Sequence, residues 1–307
     1  GLPKEVTKKL GSIKPSEEWE KLEAEGIQLM NFDDNEFPQL LREVYNPPAL
    51  LYTIGKRSVL KETLVAVVGT RKASFYGEKV TRKIVSEICP AGLVVVSGMA
   101  YGIDTIAHEA ALAVGGKTIG VSAFGLNQIP WSTDRLAKRI IADGCVVSEY
   151  PPEYPAQKFT FIERNRIIAG LASGVLVAEA PKKSGALITA KIGLNTGRES
   201  WAIPGAIDNL GAEGVNDWIK EGAKPVTCGN DILDSLRMSR LVPLENAIAK
   251  LDGAELVIFQ ELSKSNLTID QLIDFTKLPS HEILTGVSLL EIKNLIRKNI
   301  NNTFSLK

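Results

Sequence analysis

Two stretches of this chain carry residue types at spacings that could do chemistry. The first is AVGGKTIG (113–120), where Gly115, Gly116, Lys117 and Thr118 match the end of a phosphate-gripping loop. Such a loop is G-x-x-x-x-G-K-[ST] set between a strand and a helix, so that backbone N–H groups and the helix dipole face the phosphates. Here the first glycine is replaced by Ala111, and the order is reversed. IDTIAHEAALAV (103–114) has apolar residues at helical spacing, and TIGVSAF (118–124) is a short β-rich run. Gly115 and Gly116 therefore read as a helix C-cap leading into a strand, and no ATPase is expected. The second stretch, KFTFIERNRIIAG (158–170), gathers Lys158, Phe159, Phe161, Arg164, Asn165 and Arg166 at one loop-to-helix junction. Cations follow a phosphate backbone, and an exposed aromatic ring stacks on an unpaired base. The same spacing also suits Phe159 and Phe161 as core residues beside solvated arginines, and the residues alone leave both readings open.

Three further loops have related chemistry. GTRKASFYG (69–77) sets Gly69 and Arg71 directly after a strand, giving close backbone approach and a planar fork for phosphate or carboxylate; a tight turn with a solvated arginine is the alternative. SGMAYGID (97–104) places Ser97, Gly98 and Gly102 before a helix start, so that free N–H groups point into a crevice. EAPKKSGALITAK (179–191) puts Ser184 and Gly185 at another helix start. No nucleophile is assembled: G-x-S-x-G is absent, and neither His108 nor His281 has an obvious serine or cysteine partner. HEAAL at 108–112 lacks the second histidine of a zinc helix, and Asp104 and His108, four apart, are expected to pair structurally. No G-x-G-x-x-G occurs, so neither a dinucleotide cofactor nor a metal is expected. The loops describe a binding surface for something polyanionic.

These loops need strands and helices to hold them. LVAVVG (64–69), LVVVSG (93–98), TIGVSA (118–123), CVVSEY (145–150), GVLVAEA (174–180) and SWAIPG (200–205) read as strands. Helices are expected between them at about 76–89, 103–114, 133–143, 164–172 and 185–197. Strands apolar along their whole length are buried on both faces, which implies an α/β fold with a mostly parallel sheet covered by helices. Ligands of such sheets bind beyond the C-terminal strand ends. Residues 1–60 read as a helical and extended segment, with a helix in SEEWEKLEAEG (16–26) capped by Ser16 and a chain laid along a surface at 37–55. The main domain is expected at 61–237, a linker at 237–247, and a small C-terminal domain at 245–307, where helices precede a hairpin turning at Asn301-Asn302. That order outlines a winged helix.

The 36 basic and 36 acidic residues cancel, so any nucleic-acid surface must be a local patch. Hydrophobic content of 44% suits a soluble globular protein of about two domains. Cys89, Cys145 and Cys228 lie far apart and fit a reduced cytoplasmic chain. The longest apolar run, 167–178, is too short to cross a bilayer, so no membrane association is expected. The chain starts Gly1-Leu2 without methionine, so a trimmed N-terminal region is an open expectation.

Read together, VVGTRKASFYG, VVSGMAYGIDTIAHEAAL, GGKTIGV, SEYPP, RNRIIAG, SGALITA, AIPG and IKEGAKPV resemble, in this order, the DNA-processing protein A family over about residues 38–234. The resemblance implies a Rossmann-like domain that binds single-stranded DNA, forms a homodimer, and helps load a RecA-type recombinase during natural transformation, without a cofactor. It places DNA contacts at Arg71, Ser97, Gly98, Lys158, Phe161, Arg164, Asn165 and Arg166, to which the loop reading adds Ser184 and Gly185. The dimer face would fall near 214–227, where Trp218 and Ile219 are either apolar anchors or internal core. The family's helical N-terminal domain is expected to be reduced or absent. Two departures bear on the site: GLNQIPWSTDRL (125–136) replaces a motif with aspartate and Tyr-Pro, and Ile162 and Glu163 stand where a proline usually precedes the arginine-rich helix. A LOG-type nucleotide N-glycosidase on a related core is the main rival. It needs P-G-G-x-G-T-x-x-E, and Thr189 stands roughly where that glutamate would. A nicotinamide-dependent enzyme lacks its glycine fingerprint.

Overall fold

Apolar runs with no polar face must be covered on both sides, and the central sheet meets that demand. The computed structural model describes residues 14–238, 251–292, 295–299 and 302–306, and the chain divides into two units between Arg240 and Leu241. Among its described residues the first unit holds nine strands: β1 (Ile27–Asn31), β2 (Leu50–Gly55), β3 (Leu64–Val68), β4 (Val94–Ser97), β5 (Thr118–Val121), β6 (Cys145–Ser148), β7 (Gly174–Val177), β8 (Glu199–Ala202) and β9 (Lys224–Pro225). Their spatial order is β1-β2-β6-β5-β4-β3-β7-β8-β9. From β6 to β9 all neighbours are parallel, whereas β2 runs antiparallel to β6 and β1 to β2.

The helices of this unit are α1 (Pro15–Ala24), α2 (Gln39–Arg42), α3 (Phe75–Ile88), α4 (Ile103–Ala113), α5 (Trp131–Asp143), α6 (Lys158–Leu171), α7 (Gly185–Asn195), α8 (Glu213–Lys220) and α9 (Gly229–Ser235). Because side chains alternate along a strand, Ala66, Val68, Val94, Val96, Ile119 and Val121 join Ile167, Ile168 and Leu171 of α6 in one core. Their neighbours Val65, Val67 and Val95, equally buried, serve the opposite face, where α4 packs on β3 and β4. The fold is therefore an α/β sheet with helices on both faces.

Six strands and four helices stand where the apolar pattern puts them, and the fifth helix, α6, covers its expected place but starts earlier. Gly115 takes φ +69° between α4 and β5, the left-handed turn expected of a helix end rather than a phosphate loop. Lys117 there pairs with Glu62 at 2.7 Å. Three expectations are corrected. Ser16 is not the N-cap of α1; Lys14 is, and Pro15 occupies the first turn, where its missing N–H is no loss. α6 begins at Lys158, so KFTF forms its first turn rather than a loop. Residues 50–55, expected as part of a surface chain, form a strand of the sheet instead, with Tyr52 opposite Ser148, and 27–31 adds a further strand beside it. Gly55 ends β2 at φ +104°, with no room for a side chain 2.5 Å from the Gly144 carbonyl.

The second unit contains α10 (Gly253–Leu262), α11 (Ile269–Thr276), α12 (Ser280–Ile292) and an antiparallel pair, β10 (Ile296–Lys298) and β11 (Phe304–Leu306). Ile258, Leu272, Ile283, Leu290 and Phe304 form its core. Asn302 of the expected hairpin turn has φ +58°, while Asn301 and most of the expected linker lie outside the described residues. Among the described residues no helix is long and apolar enough to cross a membrane.

Asp104 and His108 do not pair with each other. His108 is fully buried, with Nδ1 2.7 Å from Thr118 Oγ1. Thr118 donates its own proton to the Val95 carbonyl, so it accepts from Nδ1–H and the ring is the neutral Nδ1–H tautomer. Burial, aided by the Arg164 charge, lowers the His108 pKa from 6.5 to about 3. An unfolded chain thus binds a proton below pH 6.5 that the folded chain refuses. This contribution to stability is complete above pH 6.5 and declines as the pH falls toward 3, by up to about 1.4 kcal/mol per unit. In urea titrations from pH 7 to 5, His108→Gln should flatten the loss of stability relative to the parent. Parallel curves for the two proteins would contradict the buried neutral ring.

Candidate nucleic-acid interface

β3 stands where the chain's order reverses, with β4 on one side and β7 on the other. Loops leaving the ends of β3 and β7 part in opposite directions and open a crevice, the usual ligand position of such sheets. A cavity of about 310 Å³ occupies it, walled by residues after β3, after β4, along α6, and at the start of α7.

The loops are fixed by backbone contacts that only small residues allow. Thr70 N–H donates to the Glu179 carbonyl at 2.7 Å, and Ser74 N–H to the buried Glu179 carboxylate at 2.8 Å. Ser74 in turn caps α3 by accepting from Gly77 N–H. Gly102, at φ +80°, lies against the first loop, since a Cβ there would sit 2.3 Å from the Thr70 carbonyl oxygen. Ile103 N–H also donates to that oxygen, so the loops after β3 and β4 form one wall. On the opposite wall Ser184 caps α7 by accepting from Ala186 N–H, and nothing crowds Gly185.

Arg164 holds the floor. Only 4% exposed, it reaches from α6 to donate Nη1–H bonds to the carbonyls of Gly98 and of Val121, the latter at 2.7 Å. A side chain on Gly98 would collide with the guanidinium at 2.2 Å. Burial lowers the pKa of Arg164, opposed through space by the charge of Asp104 on α4. Burial also raises the Asp104 pKa, with Arg164 opposing that shift. Among the described residues Asp104 is the sole carboxylate of the cavity walls, and Thr189, the residue at the expected place of the glycosidase glutamate, also lines it.

The structure brings Arg71, Phe161, Arg164, Asn165, Ser184 and Gly185 together around this cavity. The Arg71 guanidinium lies 5.4 Å from the centroid of Phe161, whose ring also meets Phe124 edge-on at 6.3 Å. Phe161 is thus half-buried on the wall, while Phe159 is exposed. The other candidates stand elsewhere. Ser97 is fully buried and donates to the Val67 carbonyl, and Gly98 is covered by Arg164. Arg166 projects to another side of α6 and is bound by Glu149. Lys158 is exposed on the first turn of α6, outside the cavity wall. Lys183, which the loop reading passed over, lines the cavity and is exposed; its place directly before the Ser184 helix start was the available signal. Glu163 does not stand free beside the site, for it accepts from Tyr150 Oη at 2.7 Å.

Arg164→Met would leave the Gly98 and Val121 carbonyls and the Asp104 carboxyl without their partner. We expect a loss of about 3–5 kcal/mol in urea unfolding, with Arg164→Lys recovering only part because one ammonium lacks the guanidinium fork. Unchanged stability in Arg164→Met would remove Arg164 from its structural role.

Comparison with known proteins follows the same outline. The model of the family described as DNA recombination-mediator protein A matches residues 28–237. A DNA processing protein DprA of Bacillus subtilis is 40% identical over 214 residues, spanning 69% of this chain and 72% of the relative. The X-ray structure of DNA processing protein A from Streptococcus pneumoniae superposes with a TM-score of 0.69 at 42% identity, covering 74% of this chain and 80% of that one. A DNA processing protein A structure from Helicobacter pylori, described for its single-stranded DNA binding mode, has a TM-score of 0.62 at 27% identity, covering 68% and 96%. The chain belongs to the DNA recombination-mediator protein A family.

Proposed function

We propose that the switch-point cavity binds single-stranded DNA, and that the protein acts as a recombination mediator by holding and presenting that strand to a RecA-type recombinase. One observation carries the reading: Phe161 lines a crevice whose rim bears the cations Arg71 and Lys183. A duplex hides its bases in the stack, whereas a single strand offers a ring face to Phe161 and phosphates to the cations. The Helicobacter pylori relative described for single-stranded DNA binding supports the reading. Lys158, one turn before Phe161, would meet the strand outside the cavity. Ser97 and Gly98 serve as backbone scaffold under Arg164, and Arg166 stays with Glu149.

The protein acts in this reading by binding rather than catalysis. It works as a homodimer in the reducing cytoplasm that its three unpaired cysteines suit. The family's dimer segment, 214–227, includes Trp218, but that ring is core, 4% exposed and donating to Ser200 Oγ. Exposed Ile207 and Leu210, just before α8, are better apolar anchors. Among the described residues of the second unit, three helices and an antiparallel strand pair suit a winged helix.

Fluorescence anisotropy across a salt series tests the site. Arg71→Ala and Lys158→Ala should each lower affinity and reduce the slope of log K against log salt by about 0.7. Phe161→Ala should lose about 1–3 kcal/mol with little change in slope, because stacking releases no counterions. It should also narrow the preference for single strands over duplex. Wild-type binding by Phe161→Ala would refute stacking there, and unchanged slopes in both cation variants would move the DNA path elsewhere.

A further inference from the structure

We propose that the strand continues from the switch-point cavity over the loop between β4 and α4, to a second contact site formed by Tyr101, Arg135 and Arg139. This rests on the reading of the first cavity as a single-stranded DNA site. A separate cavity of about 390 Å³ lies between α4 and α5, its walls including Tyr101, Thr105, Glu109, Ser132, Arg135 and Arg139. Ala100 and Asp104 line the first cavity, and their immediate neighbours Tyr101 and Thr105 line the second. Consecutive Cα atoms are about 3.8 Å apart, so one loop's thickness separates the two sites.

The second cavity has the chemistry of a strand-binding surface. Arg135 and Arg139 are exposed, one helical turn apart, and neither makes a hydrogen bond or ion pair among the described residues. The nearby carboxylates are already engaged: Glu109 binds Arg82 at 2.9 Å, and Asp134 binds Lys138 at 2.7 Å. Two like charges held at this spacing repel each other, and a phosphate between them relieves the repulsion. Tyr101 is 62% exposed, yet its hydroxyl donates to Ser132 Oγ at 2.9 Å. The ring is thereby pinned at its tip across the cleft while remaining open to a base. An aromatic platform beside unpaired arginines is the combination that binds single strands without regard to sequence. The segment that departs from the family pattern, 125–136, leads into this site, which is where this chain's strand path would differ from that of its relatives.

The test uses the full chain and oligothymidylates of increasing length. Arg135→Gln/Arg139→Gln should match the parent on the shortest strands that bind and fall progressively behind as length grows. On long strands its slope of log K against log salt should be smaller by about 1.4, or about 0.7 for each lost phosphate contact. Tyr101→Leu should show the same length-dependent deficit with an unchanged slope, and Tyr101→Phe should restore the affinity. Equal affinity and slope for the double variant and parent at every length would overturn the second site. A deficit of the same size at all lengths would also overturn it, by assigning the arginines to the first site. Failure of the parent to bind single strands would overturn the first reading itself, a distinguishable result.

Discussion

A guanidinium taken out of water needs its charge opposed and its N–H groups met; Arg164 draws an opposing charge and two acceptors for Nη1 from three different elements, while its buried Nε has no partner among the described residues. It joins the end of β4 at Gly98, the end of β5 at Val121, and the charge of Asp104 on α4, all from a position on α6. Burying such a group is unfavourable unless the surrounding geometry is fixed. That requirement places the floor of the crevice in one arrangement, and the loops around it inherit the arrangement. Gly98 must lack a side chain because the guanidinium fills that space, and Gly102 because the first loop does. The cavity is therefore formed in the folded chain before any ligand enters.

In the proposed reading, a preformed crevice lets an electrically neutral chain serve a polyanion. Among the described residues many cations are paired locally, as Lys117 is with Glu62 and Arg198 with Glu43, whereas Arg71 and Lys183 at the cavity make no ion pair. Arg71 is held over the ring of Phe161 rather than against a carboxylate, which leaves its charge available at the rim. Under the proposed function, binding at this site would depend on salt through the strand's phosphates and on strandedness through the Phe161 ring, two contributions that separate experimentally.

The sheet was legible because six of its strands have no polar face, a pattern few other structures accommodate. β1 and β2 were not, because their residues are only partly covered and the segment that joins them carries Pro47-Pro48. Within the site, Arg71 and Phe161 were found by their position after a strand and near a helix start. Arg164, Asn165 and Arg166 looked alike in sequence, yet two residues along a helix amount to about half a turn. Arg164 therefore turns inward to bear on the floor, while Arg166 faces Glu149. Ser97 stands at a strand end as a ligand contact would, yet its buried hydroxyl donates to the Val67 carbonyl. Which polar group is buried is decided by tertiary packing, and spacing alone does not carry that information.

The central claim is that loops 69–74, 98–102 and 181–185, with the first turns of α6, form one strand-binding surface. Backbone hydrogen exchange of the full protein, free and saturated with oligothymidylate, tests it most directly. The account predicts slower exchange in all of these segments together when the strand is bound. Exchange at the free rate in these loops, with protection confined to other parts of the chain, would contradict it.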